Sequence, residues 1–140
     1  MKTRDVMTPE CRYCAPGDTL ASAAQLMASE DFGAVPVAEN DQLVGVLTDR
    51  DIVVRGVAGG RDVATAKVSE IMSDRVYYCF DDQDVEEVAA NMGQMQVRRL
   101  PVVNREKQLV GIVSLGDLAT QTRRAETTGE ALSGISQPAA

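Results

Sequence analysis

Two seven-residue segments decide how this chain folds, GVLTDRD at residues 45–51 and GIVSLGD at residues 111–117. Each begins with glycine, has threonine or serine at its fourth position, and ends with aspartate. The same three residues, QLV, precede both segments, at 42–44 and at 108–110. A pattern that returns after 66 residues (111 − 45) indicates an internal repeat.

The repeat extends well beyond these segments. VMT at residues 6–8 aligns with IMS at 71–73, and Cys14, Pro36 and Met27 align with Cys79, Pro101 and Met92. One additional residue follows in the second copy. We therefore interpret the chain as two repeats, a linker and a C-terminal tail rich in small and polar residues, which we expect to be flexible. Their bounds are 6–60 for the first repeat, 61–70 for the linker, 71–124 for the second repeat and 125–140 for the tail.

Each repeat is predicted to form a strand, a helix, two strands and a second helix. The apolar residues of the first helix have the spacing of a helix with one buried face, and they are Leu20, Ala23, Ala24 and Met27. The second helix begins near Thr48 and ends before the Gly59-Gly60 pair, and its equivalent runs from about Ser114 to Arg123. A repeat of this size buries little surface alone. The predicted fold class is therefore α+β, two β-α-β-β-α repeats packed as a pseudo-twofold pair.

The composition excludes several functional classes. The 140 residues carry 14 Lys and Arg against 21 Asp and Glu, a net charge of −7, with no histidine. Nucleic acids and anionic membranes are bound by clustered cations, so neither is an expected partner. Without histidine there is no Ser-His-Asp or Cys-His catalytic set. No apolar run approaches the about 20 residues of a membrane span, and no signal peptide is evident. We expect a cytoplasmic protein that is not an enzyme.

These motifs resemble those of tandem CBS (cystathionine-β-synthase) domains, a pair known as a Bateman module. The resemblance rests on VMTP at residues 6–9, AVPV at 34–37 and the duplicated Gly-x-x-Ser/Thr-x-x-Asp element. Residues 47–53 and 98–102 are similar to small stand-alone bacterial proteins of the hypoxic-response type. The resemblance covers about residues 3 to 122. It implies regulatory binding of an adenine nucleotide, AMP, ADP or ATP, between the repeats and without catalysis.

The resemblance also implies which residues bind the nucleotide. In the family, the Ser/Thr and Asp of one repeat combine with residues before the proline of the other repeat's second strand. An aspartate carboxylate is suited to accept hydrogen bonds from both ribose hydroxyls, although an aspartate in this position is equally suited to cap a helix. Carried over to this chain, one site comprises Thr48, Arg50, Asp51, Arg98 and Arg99, and the other comprises Ser114, Asp117, Phe32, Gly33 and Ala34.

The two predicted sites differ in charge. Arg50, Arg98 and Arg99 give the Asp51 site three cations for a phosphate chain, whereas the Asp117 site has Gly116 at the position of Arg50. We therefore predict that the Asp51 site is the principal nucleotide site. The Asp117 site is expected to bind more weakly, or to take a ligand with less phosphate.

Two alternative functions remain open. Cys11 and Cys14 have Cys-x-x-Cys spacing and Cys79 is the equivalent of Cys14, so the three could serve a metal- or redox-responsive protein. Residues three apart on an extended segment point to opposite faces, which favours a structural role instead. The other alternative is a ligand-free dimerisation module. In each case we expect a homodimer and an effector that is a separate, unknown protein.

Overall fold

The computed structural model describes residues 1–121, which divide into two compact units. The first-repeat unit is Arg12–Val76, and the second-repeat unit joins Met1–Cys11 to residues 77–121. The predicted tail at 125–140 and the end of the predicted last helix lie outside the described residues. Within residues 1–121, no helix has the length and apolar character needed to cross a membrane.

The described elements alternate between helix and strand as the repeat pattern predicts. Short 3-10 turns precede each repeat at Thr3–Asp5 and Val68–Glu70. In chain order the remaining elements are β1 (Thr8–Pro9), α1 (Leu20–Glu30), β2 (Ala34–Glu39), β3 (Gln42–Thr48), α2 (Asp49–Asp51, continued by a π-helix at Ile52–Val57), β4 (Cys79–Phe80), α3 (Val85–Met95), β5 (Arg99–Val103), β6 (Leu109–Ser114) and α4 (Leu115–Gln121).

The first-repeat unit is built on the antiparallel pair of β2 and β3, in which Ala34 lies opposite Thr48. Cys14 adds a single parallel bridge to Val37 of β2, at the position of the predicted first strand. Helix α1 begins after Thr19, whose hydroxyl accepts a hydrogen bond from the Ser22 amide at 3.1 Å. The predicted strand–helix–strand–strand order is therefore confirmed in this unit.

The buried face of α1 is shifted around the helix from the predicted face. Leu20, Ala23 and Met27 are buried, whereas Ala24 is exposed, so the prediction for Ala24 is wrong. Leu26 packs against the core from the other side of the stripe. A leucine side chain covers more of the apolar surface than an alanine does, and the helix is rotated to bring Leu26 inward.

The second-repeat unit has a four-stranded sheet in the order β1-β6-β5-β4. Strands β5 and β6 are antiparallel, with Arg99 opposite Ser114. Strand β4 runs parallel to β5, with Cys79 opposite Val102, and β1 pairs with β6 at the other edge. The pattern of the first-repeat unit thus returns, with the single bridges of Cys14 to Val37 and of Ser73 to Val46 replaced by the two-residue strands β4 and β1.

Each unit has its own buried core, and each core includes a segment from outside its repeat. Ala66 and Val68 of the predicted linker are buried with the first repeat, where the Leu20 amide donates to the Ala66 carbonyl at 3.0 Å. Val6, from the start of the chain, is buried with the second repeat. A repeat of this length does not bury enough apolar surface alone, and these added segments complete each core.

The segments at Ser73 and Thr8 pair with the neighbouring strands β3 and β6 beside two equivalent glycines, Gly45 and Gly111. Ser73 exchanges two backbone hydrogen bonds with Val46 beside Gly45, and Thr8 lies next to Gly111. A Cβ atom on Gly111 would lie 2.6 Å from the Thr8 carbonyl oxygen and 2.8 Å from the Met7 sulfur. Only a residue without a side chain allows the backbones to approach this closely.

Replacing Gly111 with alanine should therefore destabilise the second-repeat unit. We expect Gly111→Ala to lower the free energy of unfolding by about 1–3 kcal/mol, because the new methyl group meets the backbone of β1. Urea unfolding followed by circular dichroism measures the change. The matched control is Gly17→Ala, since a Cβ on Gly17 meets no atom within 4 Å. Equal effects of the two substitutions would contradict the explanation.

Candidate functional site

The two Gly-x-x-Ser/Thr-x-x-Asp elements form the same hydrogen-bonded turn. In the first, the Asp51 amide donates to Thr48 Oγ1 and the Thr48 amide donates to Asp51 Oδ2, both at 3.0 Å. In the second, the corresponding distances between Ser114 and Asp117 are 3.1 and 2.9 Å. This reciprocal arrangement is a capping box, which satisfies two backbone amides at the start of a helix. The capping role of both aspartates is therefore present in the structure.

The capping box leaves polar atoms available at each turn. The cap uses only Oδ2 of Asp51 and of Asp117, and Oδ1 of neither accepts a hydrogen bond from residues 1–121. The hydroxyls of Thr48 and Ser114 accept in the cap and retain their hydrogens for donation. All four side chains are half-buried. Each turn can thus cap its helix and still offer an acceptor and a donor to a ligand.

The residues that precede each proline lie beside the turn of their own repeat. In the first-repeat unit, the Asp49 amide donates to the Gly33 carbonyl at 2.9 Å. In the second-repeat unit, the Leu115 amide donates to the Arg98 carbonyl at 3.1 Å. We call these places the first corner, formed by Gly33, Ala34, Thr48 and Asp49, and the second corner, formed by Arg98, Arg99, Ser114 and Leu115.

The structure therefore brings together the predicted site residues that belong to one unit. Phe32, Gly33 and Ala34 lead into β2 beside the turn of Thr48 and Asp51. Arg98 and Arg99 lead into β5 beside the turn of Ser114 and Asp117. The predicted sites instead combine residues of different units, and that combination stays a prediction.

The two corners carry different sets of charges. Arg98 and Arg99 are both exposed at the second corner. At the first corner Asp49 and the neighbouring Arg50 are both exposed, and Asp49 Oδ2 would lie 3.2 Å from a Cβ atom on Gly33. The sequence motifs do not indicate a role for Asp49. The signal for it is the alignment of the repeats, which places the acidic Asp49 opposite the apolar Leu115.

The cysteines do not form a common site among the described residues. Cys14 and Cys79 are each 2% exposed and lie in the cores of different units. Burial raises the pKa of Cys14 to about 11 and that of Cys79 to about 12, with nearby Asp18 and Asp81 adding to the effect. Burial also raises the pKa of the half-exposed Cys11. A protonated thiol is neither a good metal ligand nor a good nucleophile.

A metal site also lacks ligands in this part of the chain. Among residues 1–121, no three Cys, Asp or Glu side chains are grouped so that they could hold a metal ion. All three cysteines are free thiols. The structure thus favours the structural role for Cys14 and Cys79.

Thiol labelling at pH 8 should distinguish Cys11 from the other two cysteines. We expect one thiol to react quickly with an aromatic disulfide reagent, and Cys14 and Cys79 to react only at the rate of unfolding. Since their folded pKa values exceed the ordinary 9.0, their contribution to stability is complete below pH 9 and is lost as the pH rises through 11 and 12. Three equal labelling rates in the native protein would contradict this assignment.

Comparison with known proteins identifies the family. The model of the CBS domain matches residues 4–57 and again residues 68–122. The CBS domain-containing protein YhcV of Bacillus subtilis is 44% identical over 133 residues, which are 95% of this chain and 94% of YhcV. Hypoxic response protein 1 of Mycobacterium tuberculosis is 42% identical over 117 residues, covering 83% of this chain and 81% of that protein.

Solved structures show the same fold. A crystal structure of Hypoxic Response Protein I with two coordinated zinc ions has a TM-score of 0.78 and 38% identity, over 86% of this chain and 98% of that one. The structure of CBSX2 in complex with AMP has a TM-score of 0.73 and 25% identity, over 88% of this chain and 98% of that one. With both halves matched by the family model and the α+β fold shared, this chain belongs to the CBS domain family, of which it contains a tandem pair.

Proposed function

We propose that this protein is a regulatory module that binds an adenine nucleotide, AMP, ADP or ATP, and reports it to a partner protein without catalysis of its own. The observation that carries the proposal is the pair of equivalent turns at Asp51 and Asp117, each with a carboxylate oxygen and a hydroxyl hydrogen still available. A ribose offers the matching hydroxyl groups. Binding of AMP by the family member CBSX2 supports the same ligand class.

The proposed binding residues form two unequal sets. The principal set is Thr48, Arg50, Asp51, Arg98 and Arg99, in which three guanidinium groups favour a phosphate chain. The second set is Ser114, Asp117, Phe32, Gly33 and Ala34, which has no arginine or lysine. Two observations support this division. Arg98 and Arg99 of the principal set are exposed, and Gly33 and Ala34 of the second set bring no charge.

Ligand binding would be reported as a change in population between arrangements of the protein. A ligand shifts such an equilibrium only by the difference between its affinities for the two states. Since the turns at Asp51 and Asp117 begin helices, a ligand bound there acts directly on the following segments. We propose that the receiving effector is a separate protein.

We further propose that the protein forms a homodimer. Val53, Val54 and Val57 of the π-helix are 59%, 48% and 60% exposed. Neighbouring exposed apolar side chains of this kind mark a surface that is covered in an assembly, and closed twofold symmetry is the commonest arrangement of identical chains.

Zinc binding is the less well supported alternative. Hypoxic Response Protein I holds two zinc ions, but this chain has no histidine, and Cys14 and Cys79 are protonated residues of separate cores. The cysteines therefore do not fit a shared zinc centre, and we assign none.

Calorimetric titration of two matched variants tests the unequal sites. Asp51→Asn and Asp117→Asn each keep an oxygen for the capping box but lose the negative charge. We expect Asp51→Asn to weaken ATP binding about tenfold or more, equivalent to about 1.4 kcal/mol, and Asp117→Asn to weaken it less. Urea unfolding of both variants checks that the caps are retained. Equal losses of ATP affinity would rule out the difference between the sites.

A thermal-shift comparison tests the ligand class. The compounds are AMP, ADP, ATP, NAD, S-adenosylmethionine and zinc. A ligand at a hundred times its Kd should stabilise the folded protein by about 2.7 kcal/mol, which raises the Tm by several degrees. If no adenine compound changes the Tm at millimolar concentration, the protein is a ligand-free dimerisation module, whereas a response to zinc alone would support the metal-responsive alternative.

A further inference from the structure

We propose that the first-repeat unit has a separate binding site, a cavity beside α1 that takes a small polyhydroxylated molecule without negative charge, the chemistry of a sugar or an amino sugar. The cavity has a volume of about 420 Å³, within the ~300–1,000 Å³ of small-molecule sites. It lies between α1 and the segment at residues 12–18. None of its lining residues belongs to the two proposed nucleotide sets, so the proposal does not depend on nucleotide binding.

The wall formed by α1 carries hydrogen-bonding groups that the fold does not use. Ser22, Gln25 and Ser29 line the cavity and are exposed. The side-chain amide of Gln25 and the hydroxyl of Ser22 form no hydrogen bond within residues 1–121, and Ser29 Oγ donates to the Leu26 carbonyl at 3.1 Å. A hydroxyl also accepts, and an amide offers both an acceptor and two donors. This wall can therefore bind several hydroxyl groups of one ligand.

Asp18 provides an acceptor in a fixed position. Its Oδ2 accepts a hydrogen bond from the Ala15 amide at 2.9 Å, and its own amide donates to the Ala15 carbonyl at 3.1 Å. Its Oδ1 accepts no hydrogen bond from the described part of the chain. The side chain is half-buried. Since the turn holds the carboxylate before a ligand arrives, binding to Oδ1 costs little conformational entropy.

The charges around the cavity favour a ligand without negative charge. The guanidinium of Arg12 lies at the cavity, but its Nη1 is 3.1 Å from Glu30 Oε1 and is neutralised there. Asp18 forms no salt bridge within residues 1–121. A phosphate would therefore meet a paired cation and an unpaired carboxylate, which oppose its binding. A hydroxyl or an ammonium group instead donates to the carboxylate.

Tyr13 and Leu26 add apolar surface to the lining. Tyr13 is 45% exposed, and Leu26 is partly buried against the core. A sugar has hydroxyl groups at the edge of its ring and C–H groups on its faces, so it uses polar and apolar surface together. Small-molecule sites combine the two in this way, with a few polar groups that fix the orientation of the ligand.

The second repeat shows how the same backbone frame is bridged by longer side chains. Gln83 and Glu87 stand at the positions of Asp18 and Ser22. Gln83 holds the preceding turn as Asp18 does, with Oε1 accepting from the Phe80 amide at 2.8 Å. Its Nε2 also donates to Glu87 Oε1 at 3.0 Å, whereas Asp18 and Ser22 form no hydrogen bond with each other. The open space is therefore a property of the residues in the first repeat and not of the shared fold.

NMR titration of the full chain tests the proposal, with glucose, glucosamine and glucose 6-phosphate as the probes. The side-chain amide of Gln25 reports on the cavity, and that of Gln94 reports on the equivalent helix of the second repeat. We expect saturable shifts at Gln25 with glucose at millimolar concentrations, and at lower concentrations of glucosamine because of the Asp18 carboxylate. Glucose 6-phosphate should need about tenfold higher concentrations, and Gln94 should show no saturable shift.

The decisive variant transfers the bridge of the second repeat into the first. Asp18→Gln combined with Ser22→Glu leaves the net charge unchanged and should weaken glucose binding at Gln25 about tenfold or more. The matched control combines Asp41→Asn with Ala24→Glu, the same exchange of charge at exposed positions outside the cavity. Asn tolerates the positive φ of 65° at position 41. The control should bind glucose as the wild type does.

Urea unfolding shows that both double variants are folded before they are titrated. Equal glucose binding by the bridged variant and the wild type would overturn the proposal. Shifts at Gln25 that do not saturate, equal shifts at Gln94, or a response to glucose 6-phosphate alone would overturn it as well. Failure of ATP to bind would concern the proposed function and not this cavity.

Discussion

The reciprocal hydrogen bonds between a hydroxyl residue and the aspartate three positions later organise both halves of this protein. At Thr48 and Asp51 they end a strand, begin a helix and orient a carboxylate in one step. Because the cap fixes Oδ2, the direction of Oδ1 is also fixed before any ligand arrives. Binding at a preorganised group costs less conformational entropy than binding at a mobile one. A residue that stabilises the fold is thus also suited to recognise a ligand, and the two roles do not compete for the same atom.

The exchange of short segments explains why the folded units differ from the sequence repeats. Each repeat lacks a strand partner over its central glycine, at Gly45 or at Gly111. That space is filled by Ser73 in one unit and by Thr8 in the other, both of which follow a methionine. Ser73 belongs in sequence to the second repeat and Thr8 to the first, so each segment pairs with a strand of the other repeat. Each half of the chain therefore depends on residues outside its own repeat for a complete core.

Local patterns predicted the elements well and the long-range contacts poorly. The duplicated turn, the strand–helix–strand–strand order and the burial of Leu20, Ala23 and Met27 on α1 all followed from residue spacing, which acts over a few positions. The exchanged segments could not be predicted in this way. The orientation of α1, which buries Leu26 in part and exposes Ala24, also depends on the neighbouring segment at 63–68 rather than on the helix itself.

The π-helix after Asp51 is another feature that sequence patterns did not indicate. Gly56 is buried there, and a Cβ atom on it would lie only 3.1 Å from Leu20 Cδ1. The glycine allows the segment to approach α1, and hydrogen bonds from residue i to i+5, such as that from the Ala58 amide to the Val53 carbonyl, replace the usual α pattern. This i to i+5 hydrogen-bond pattern depends on packing against α1. The spacing of apolar residues within the segment does not indicate that packing.

Charge is the property for which sequence and structure must be considered together. A net charge of −7 describes the average surface, but a single bound ligand meets only the few charges within about 8–10 Å, the distance over which salt screens the rest. At that scale the second corner presents Arg98 and Arg99, whereas the first presents Asp49 beside Arg50, although both are built on the same backbone frame. Duplication thus supplied two copies of one backbone geometry, and differences at four equivalent positions (33/98, 34/99, 49/115 and 50/116) gave the copies different charges. An acidic protein can in this way retain a local group of exposed cations.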